Sequence, residues 1–239
     1  LKTMKKLGLT SMVTLQHFTN PIWLAEQGGW ENEKVVEHFG RFVEFVVKEL
    51  HADVDFWLTL NEPLVYAFKA YDSGEWPPYK KDRTAALKVI KHELLAHAKA
   101  YRIIHQIQPT AKVGFAKHMT PLAPSFFLNP VDHIVASVQN NIFNEAFFEA
   151  ILQGGIHLSI PGLPTVEVPH TEALKGSLDF IGVNYYTRWL VTSDGKQVAY
   201  ENAEKSDLGW EIYPDGLLEV LKTANRYAQA MNIPIYITE

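Results

Sequence analysis

Five short runs of apolar and β-branched residues, separated by longer helical patterns, limit most strongly what this chain can fold into. The runs are nearly continuous in apolar residues instead of alternating with polar ones, which is typical of strands covered on both faces. Strands that alternate with helices predict a parallel sheet built from right-handed crossovers. The five predicted strands are 11–18 (SMVTLQHF), 54–60 (VDFWLTL), 112–118 (KVGFAKH), 178–187 (LDFIGVNYYT) and 233–238 (IPIYIT).

The segments between these strands carry the spacing of amphipathic helices. Residues 33–50 place apolar side chains three and four positions apart. Residues 82–107 begin at Asp82, a suitable N-cap, and end before a proline. Further helices are predicted at 131–152 and 215–231.

The longest connections, 61–82 and 188–216, follow the C-terminal ends of strands, and we interpret both as elaborated loops. This asymmetry is typical of a (β/α)8 TIM barrel. Such a barrel takes about 250 residues or more, whereas this chain of 239 residues shows only five strands. We therefore expect a single α/β domain over 1–239 that supplies about five of eight β/α units. It is either a portion of a longer protein or is completed by a partner chain.

The composition argues against several classes of protein. A net charge of −5 without any basic stripe gives no reason to expect nucleic acid. No run approaches the roughly 20 apolar residues of a membrane helix, and no glycine-rich phosphate-binding motif is present. The absence of cysteine excludes disulfides and thiolate sites. It suits a reducing compartment, so we expect a cytoplasmic protein.

Polar side chains collect where the predicted strands end. In a barrel these positions converge on one face, and catalytic residues come from the ends of several strands. Each also has a structural explanation, because a strand-end histidine often caps the backbone and a carboxylate often caps a helix or pairs with a cation. The residues are His17, Asn61, Glu62, His118, Asn184, Tyr186 and Glu239.

Two residues of this set are glutamates, Glu62 and Glu239, and the occurrence of two carboxylates at strand ends is more informative than either one alone. Two carboxylates that face each other across a pocket can act as general acid/base and nucleophile on an acetal. At a separation of about 5–5.5 Å such a pair cleaves a glycoside with retention. The sequence gives no distance, so a structural role for either carboxylate stays open.

A second histidine pattern, His92-Glu93-Leu94-Leu95-Ala96-His97, does not have the geometry of a zinc helix. Its histidines are five positions apart, so they point about 100° away from each other. We predict an amphipathic helix with surface histidines instead.

Several tryptophans lie in predicted loops on the strand C-terminal side. Each is more readily explained as a core residue, although a sugar-binding cleft would use such side chains as flat apolar platforms. They are Trp23, Trp30, Trp76, Trp189 and Trp210.

The motifs TLNEP, DFIGVNYYT and the terminal YITE, in this order, resemble those of glycoside hydrolase family 1, the β-glucosidase and β-galactosidase group. VTLQHFTNPIWLAEQGGW is similar to the family segment T-L-x-H-[WF]-x-x-P followed by G-G-W, and LGWEIYPDGL is similar to its G-W-x-[IV]-x-P-x-G-L signature. The matches extend from residue 14 to residue 239.

The resemblance implies a retaining β-glycosidase on a (β/α)8 barrel, without metal or organic cofactor. Such an enzyme hydrolyses terminal β-linked sugars of a glycoside or oligosaccharide by double displacement. Glu62 of N-E-P would be the acid/base and Glu239 the nucleophile. Tyr186 would hold the nucleophile ionised, and three residues would bind the sugar: His17, Asn61 and Asn184.

The chain departs from the family pattern at both ends. Its five strands correspond to the family's third to seventh, so the first, second and eighth have no counterpart. We therefore expect a truncated member with weak activity on its own, in which a homo-oligomer or a complementing chain closes the barrel. The alternative is an inactive segment that acts as a sugar-binding or assembly-forming module. The sugar preference cannot be predicted.

Overall fold

The computed structural model describes residues 1–159 and 165–239. The strands are β1 (Met12–Gln16), β2 (Phe56–Asn61), β3 (Lys112–His118), β4 (Leu122–Pro124), β5 (Ile156–Leu158), β6 (Val166–Val168), β7 (Phe180–Asn184), β8 (Trp189–Val191), β9 (Gln197–Val198) and β10 (Ile235–Ile237). The α-helices are α1 (Lys2–Lys6), α2 (Ile22–Glu26), α3 (Val35–Leu50), α4 (Pro63–Ala67), α5 (Arg83–Ile107), α6 (Pro130–Asn140), α7 (Ala146–Gln153) and α8 (Asp215–Met231).

The main sheet has the strand order β1-β2-β3-β7-β10, and every neighbouring pair is parallel. The prediction of five parallel strands is therefore confirmed. The bounds of β3 are the predicted ones, and the ends of the other four strands differ by one to three residues. Since all five strands run in one direction, their C-terminal ends lie at one edge of the sheet. Strands β1 and β10 are the outer strands of this sheet in the described part of the chain.

The four predicted helices are present, and one of them is interrupted. Asp82 caps α5 as expected, because its side chain accepts hydrogen bonds from the backbone N–H groups of Thr84 and Ala85. The segment predicted as one helix at 131–152 consists of α6 and α7 with a π-helical turn, Asn141–Glu145, between them.

The two segments interpreted as elaborated loops contain short regular elements, which the sequence analysis did not predict. Residues 61–82 begin with α4 and a π-helical turn, Phe68–Asp72. Pro63 stands at the first position of α4, where a helix needs no backbone N–H, so a helix begins two residues after the end of β2. Residues 188–216 contain β8 and β9, and β8 pairs with β4 in a small separate sheet.

The helices cover one face of the main sheet, and a smaller aromatic cluster lies on the other. Trp57 and Leu58 are consecutive residues of β2 and therefore point to opposite faces. Trp57 belongs to the large core packed under the helices, whereas Leu58 packs with Phe180 in the smaller cluster. There the ring of Phe56 lies 5.6 Å from that of Phe180 and 5.4 Å from that of Tyr236, between centroids.

Gly114 permits the close approach of β3 and β7. A Cβ at this position would lie 2.7 Å from the carbonyl oxygen of Phe180. Any larger residue would push the two strands apart, so the register that aligns their ends depends on this glycine.

The predicted surface position of His92 and His97 was wrong, because both side chains are buried in α5. His92 bonds to the carbonyl oxygen of Trp30 at 2.8 Å. The ring of His97 lies between the hydroxyl of Thr59, 2.7 Å away, and the carbonyl oxygen of Ser177, 2.6 Å away. A histidine counts as polar in a periodicity analysis and is therefore assigned to the surface. Here each ring bonds to a backbone carbonyl oxygen inside the core, which allows it to be buried.

No helix in the described part of the chain is both long enough and apolar enough to span a bilayer.

Candidate active site

Glu62 follows β2 in an unusual backbone conformation. Its φ of +44° lies in the left-handed region, which is costly for a residue other than glycine. The backbone is held there by the Glu62 N–H, which donates to the carbonyl oxygen of Ala116 on β3 at 2.8 Å. Pro63 begins α4 on its other side. Such strain is typical of functional positions, and the surrounding structure fixes the direction of this side chain.

The Glu62 carboxyl group lies in a nearly closed environment and is 6% exposed. Its Oε1 accepts a hydrogen bond from Asn184 Nδ2 at 2.9 Å, and His118 Nδ1 lies 3.8 Å from the same oxygen. Burial raises the pKa of Glu62; the bond from Asn184 opposes this rise, and the charge of Glu239 adds to it. Desolvation is thus the main effect that favours a protonated Glu62.

A chain of side-chain amides connects Glu62 to the end of β1. Asn184 Nδ2 also reaches Asn61 Oδ1 at 3.3 Å, and Asn61 Nδ2 donates to His17 Nε2 at 3.1 Å. Thr238 Oγ1 donates to Asn184 Oδ1 at 2.6 Å, which fixes the orientation of that amide. The ends of four strands, β1, β2, β7 and β10, therefore share one hydrogen-bond network.

The second carboxylate is held by Tyr186, whose hydroxyl donates to Glu239 Oε2. The two segments are also joined through the backbone, because the Tyr185 N–H donates to the Glu239 carbonyl oxygen at 3.2 Å. Burial raises the pKa of Tyr186, and its bond to Glu239 and the neighbouring Glu62 raise it further. The tyrosine therefore stays a neutral donor to Glu239.

The seven strand-end residues named from the sequence lie at the C-terminal end of the sheet. Glu62, Asn61, Asn184 and His17 are joined by hydrogen bonds, and Tyr186 bonds to Glu239. His118 completes the wall: its ring lies 5.3 Å from that of Tyr186, between centroids. Burial and the charge of Lys117 lower the pKa of His118 to about 3, so the ring is neutral.

The tryptophans divide between core and site. Trp30 is buried in the core, and Trp23 is half exposed against His38. Trp210 packs on Tyr186 with ring centroids 5.4 Å apart, which places one aromatic platform at the site. Trp76 contacts Phe18, the residue after His17, while Trp189 packs beside Leu122.

Sequence reasoning missed Thr238 and Lys117. Thr238 orients Asn184, which a hydroxyl next to a candidate nucleophile could have suggested. Lys117 is a fully buried cation on β3, and a lysine inside an otherwise apolar strand is the signal that could have found it.

No group of three or more histidine, aspartate or glutamate side chains among the described residues has the geometry to hold a metal ion. The site is built from hydrogen-bond donors, two carboxylates and aromatic rings.

Comparison with known proteins gives a consistent family. The family described as Glycosyl hydrolase family 1 matches residues 1–239. A β-galactosidase of Pyrococcus woesei is 29% identical over 286 residues, covering 100% of this chain and 54% of that protein. A chloroplastic galactolipid galactosyltransferase, SFR2, of Arabidopsis thaliana is 31% identical, covering 100% of this chain and 36% of its own length.

Among solved structures, a β-glycosidase from Pyrococcus horikoshii is 33% identical with a TM-score of 0.86, covering 99% of this chain and 54% of that one. The likeness confirms the predicted fold class, a partial (β/α)8 arrangement. The chain spans about half the length, or less, of the relatives that it matches.

Proposed function

This chain belongs to glycosyl hydrolase family 1, and from that premise we propose that it provides the catalytic centre of a retaining β-glycosidase. The substrate class is a terminal β-linked sugar. Hydrolysis proceeds by double displacement, with Glu62 as acid/base and Glu239 as nucleophile.

In the first displacement Glu239 attacks the anomeric carbon while Glu62 gives its proton to the departing oxygen. The bond from sugar to leaving group breaks, and an ester between Glu239 and the sugar forms. In the second displacement Glu62, now a carboxylate, takes a proton from water while the water oxygen attacks the anomeric carbon. The bond from the anomeric carbon to Glu239 breaks, and the free sugar leaves. Glu62 is thereby protonated again and Glu239 is again a carboxylate.

The environments of the two carboxylates suit these different roles. Burial raises the pKa of Glu62, as an acid that must hold a proton near neutrality requires. Glu239 accepts a hydrogen bond from the Tyr186 hydroxyl, which orients the carboxylate that is proposed to attack. The single observation that carries the proposal is that two carboxylates follow strands of one parallel sheet in different surroundings: Glu62 is buried and bonded to Asn184, whereas Glu239 is exposed and bonded to Tyr186.

His17, Asn61 and Asn184 would bind the hydroxyl groups of the non-reducing sugar. Their amide and imidazole groups are already joined to one another, so their positions are set before substrate arrives. Pre-set donors avoid the cost of ordering them during the reaction.

A covalent trap tests this function. A 2-deoxy-2-fluoro aryl β-glycoside should add one fluoroglycosyl group to the intact chain, located at Glu239 by peptide mapping, because the fluorine slows hydrolysis of the ester. Glu239→Gln should abolish the adduct, whereas Glu201→Gln, the same change on an exposed loop, should not.

An unchanged mass at saturating reagent would contradict the hydrolase. If sugar binding is nevertheless measured by calorimetry, the result supports the alternative of a non-catalytic sugar-binding module. If the adduct does form, product analysis with and without an added sugar acceptor distinguishes transfer of the sugar to water from transfer to an acceptor hydroxyl.

We further propose that the edges of the main sheet are covered in the working protein by a second copy or by a complementing chain. The edge strands expose Met12, Tyr236 and Ile237 at 38%, 39% and 57%. Uncovered parallel edges with apolar side chains favour association.

A further inference from the structure

Lys117 is a buried cation to which the proposed mechanism gives no role. It lies near the end of β3 and is 1% exposed, whereas a lysine is almost never fully buried unless it is paired. Its Nζ donates to the carbonyl oxygen of His118 at 2.6 Å and lies 4.4 Å from the centroid of the Phe143 ring. Among the described residues no carboxylate comes within 4.0 Å of this ammonium group. One hydrogen bond and one aromatic face are thus its direct contacts.

The residues on both sides of Lys117 touch Glu62. The carbonyl oxygen of Ala116 accepts from the Glu62 N–H at 2.8 Å, and His118 Nδ1 lies 3.8 Å from Glu62 Oε1. Adjacent residues of a strand point to opposite faces, so the Lys117 side chain leaves β3 on the face opposite to the His118 ring, which is the ring that lies beside Glu62. Because Lys117 and Glu62 are both buried, charges on them are screened less than they would be in water.

The interaction acts on both partners. The charge of Lys117 opposes the rise that burial causes in the pKa of Glu62. Burial lowers the pKa of Lys117 to about 7, and the Glu62 carboxylate opposes that fall. Each group thus favours the charged form of the other.

The remaining groups around Glu62 do not replace this cation. His118 on β3 and Tyr186 after β7 are neutral, because the pKa of the first is low and that of the second is high. Glu239 after β10 repels a charged Glu62, and His17 after β1 lowers the pKa of Glu62 less than Lys117 does.

We propose that Lys117 is a positioning residue that supplies the counter-charge for the Glu62 carboxylate formed when the leaving group takes its proton. The inference rests on the proposed function. During the first displacement the negative charge leaves Glu239, which becomes a neutral ester, and arrives on Glu62. A cation coupled to Glu62 stabilises the state after this transfer.

The sign of the effect follows from the charge. Without the ammonium group Glu62 binds its proton more tightly, so it is a weaker acid in the first displacement and a stronger base in the second. Lys117→Met keeps a side chain of similar length and removes the charge.

The experiment is a carbon-13 NMR titration of the glutamate carboxyl groups in the full chain, with Glu62 assigned by the loss of its signal in Glu62→Gln. In Lys117→Met the proton affinity of Glu62 should rise roughly threefold or more, a change of about half a pH unit. Lys112→Met, the same substitution at the exposed start of β3, should leave the Glu62 titration in place. An unmoved Glu62 titration in folded Lys117→Met overturns the proposal.

Two further measurements complete the test. If Lys117→Met does not fold, Lys117→Gln removes the same charge and is judged by the same shift. In active protein the basic limb of the kcat/KM profile should move to higher pH with the NMR titration, which a loss of packing alone would not produce.

The adduct and the titration distinguish the two proposals. An adduct at Glu239 without a shift of the Glu62 titration rejects the role of Lys117 and leaves the glycosidase proposal standing. If the Glu62 titration shifts but no adduct forms at Glu239, the glycosidase proposal is rejected. The charge coupling between Lys117 and Glu62 is then real, but it has no role in catalysis.

Discussion

At the scale of single residues, the fold gives identical carboxyl groups different properties. Glu62 accepts one hydrogen bond and is mostly buried, whereas Glu239 is exposed and accepts a tyrosine hydroxyl. Glu93 on α5 has neither oxygen bonded within the described residues, and burial raises its pKa well above the usual range. Of these three, only the first two lie at strand ends, where they meet other functional groups.

Tyr186→Phe isolates the contribution of one hydroxyl. The ring and its contacts with His118 and Trp210 stay, while the hydrogen bond to Glu239 is lost. Bonds to a charged group are worth about 1.5–3 kcal/mol, so the rate of adduct formation should fall by about ten- to a hundredfold. The rate is measured by mass spectrometry over time. An unchanged rate of adduct formation would contradict a role of the Tyr186 hydroxyl in the attack by Glu239.

The strand-end rule explains how much of the site the sequence could predict. Parallel strands bring their ends together, so polar residues at 17, 61, 62, 184, 186 and 239 could be grouped without coordinates. Lys117 could not be placed in the same way, because its effect depends on which face of β3 it occupies and on the exclusion of water there.

At the scale of the elements, continuous apolar runs predicted the five main strands and helical spacing predicted the long helices. The short strands β4 and β8 were not predicted, because three residues are too few to show a periodicity and the pairing of these strands joins segments far apart in sequence. The π-helical turns were also not predicted, because apolar spacing indicates where a helix lies but does not resolve how many residues a single turn contains. Buried His97 was missed because its hydrogen bonds come from other elements.

His97 joins three elements, and its removal should show how much they depend on one another. His97→Ala leaves a cavity and an unpaired Ser177 carbonyl, so we expect a loss of about 2–4 kcal/mol in the free energy of unfolding at pH 7. Chemical denaturation measures this. His157→Ala, an exposed position on β5, is the control and should change little.

The same histidine gives a pH dependence. Burial lowers the pKa of His97 to about 4 from a usual 6.5, so the unfolded chain binds this proton before the native one does. The stability that the neutral ring provides should be lost as the pH falls from 6.5 towards 4. The difference between wild type and His97→Ala should therefore shrink in that range, and a constant difference would contradict the assignment.

At the scale of the whole molecule, the chain covers about half of each related glycosidase and presents a five-stranded sheet with two edges in its described part. Light scattering coupled to gel filtration should accordingly give a mass above that of one chain. Met12→Lys and Ile237→Lys place charges on the edge strands and should shift the distribution towards single chains. Leu7→Lys, an exposed position outside the sheet, should not.

A monodisperse single chain that unfolds cooperatively would contradict the proposed association. The sheet edges would then be tolerated in solution without a partner.

The aromatic cluster of Phe56, Phe180 and Tyr236 has a consequence for the distance between the two carboxylates. Phe56 and Tyr236 stand on β2 and β10, three strand spacings apart, which would be about 14 Å on a flat sheet. Their ring centroids nevertheless lie 5.4 Å apart, so the sheet is curved towards this face. The separation between Glu62 and Glu239, the residues proposed as acid/base and nucleophile, therefore depends on a curvature that packing within this cluster helps to maintain.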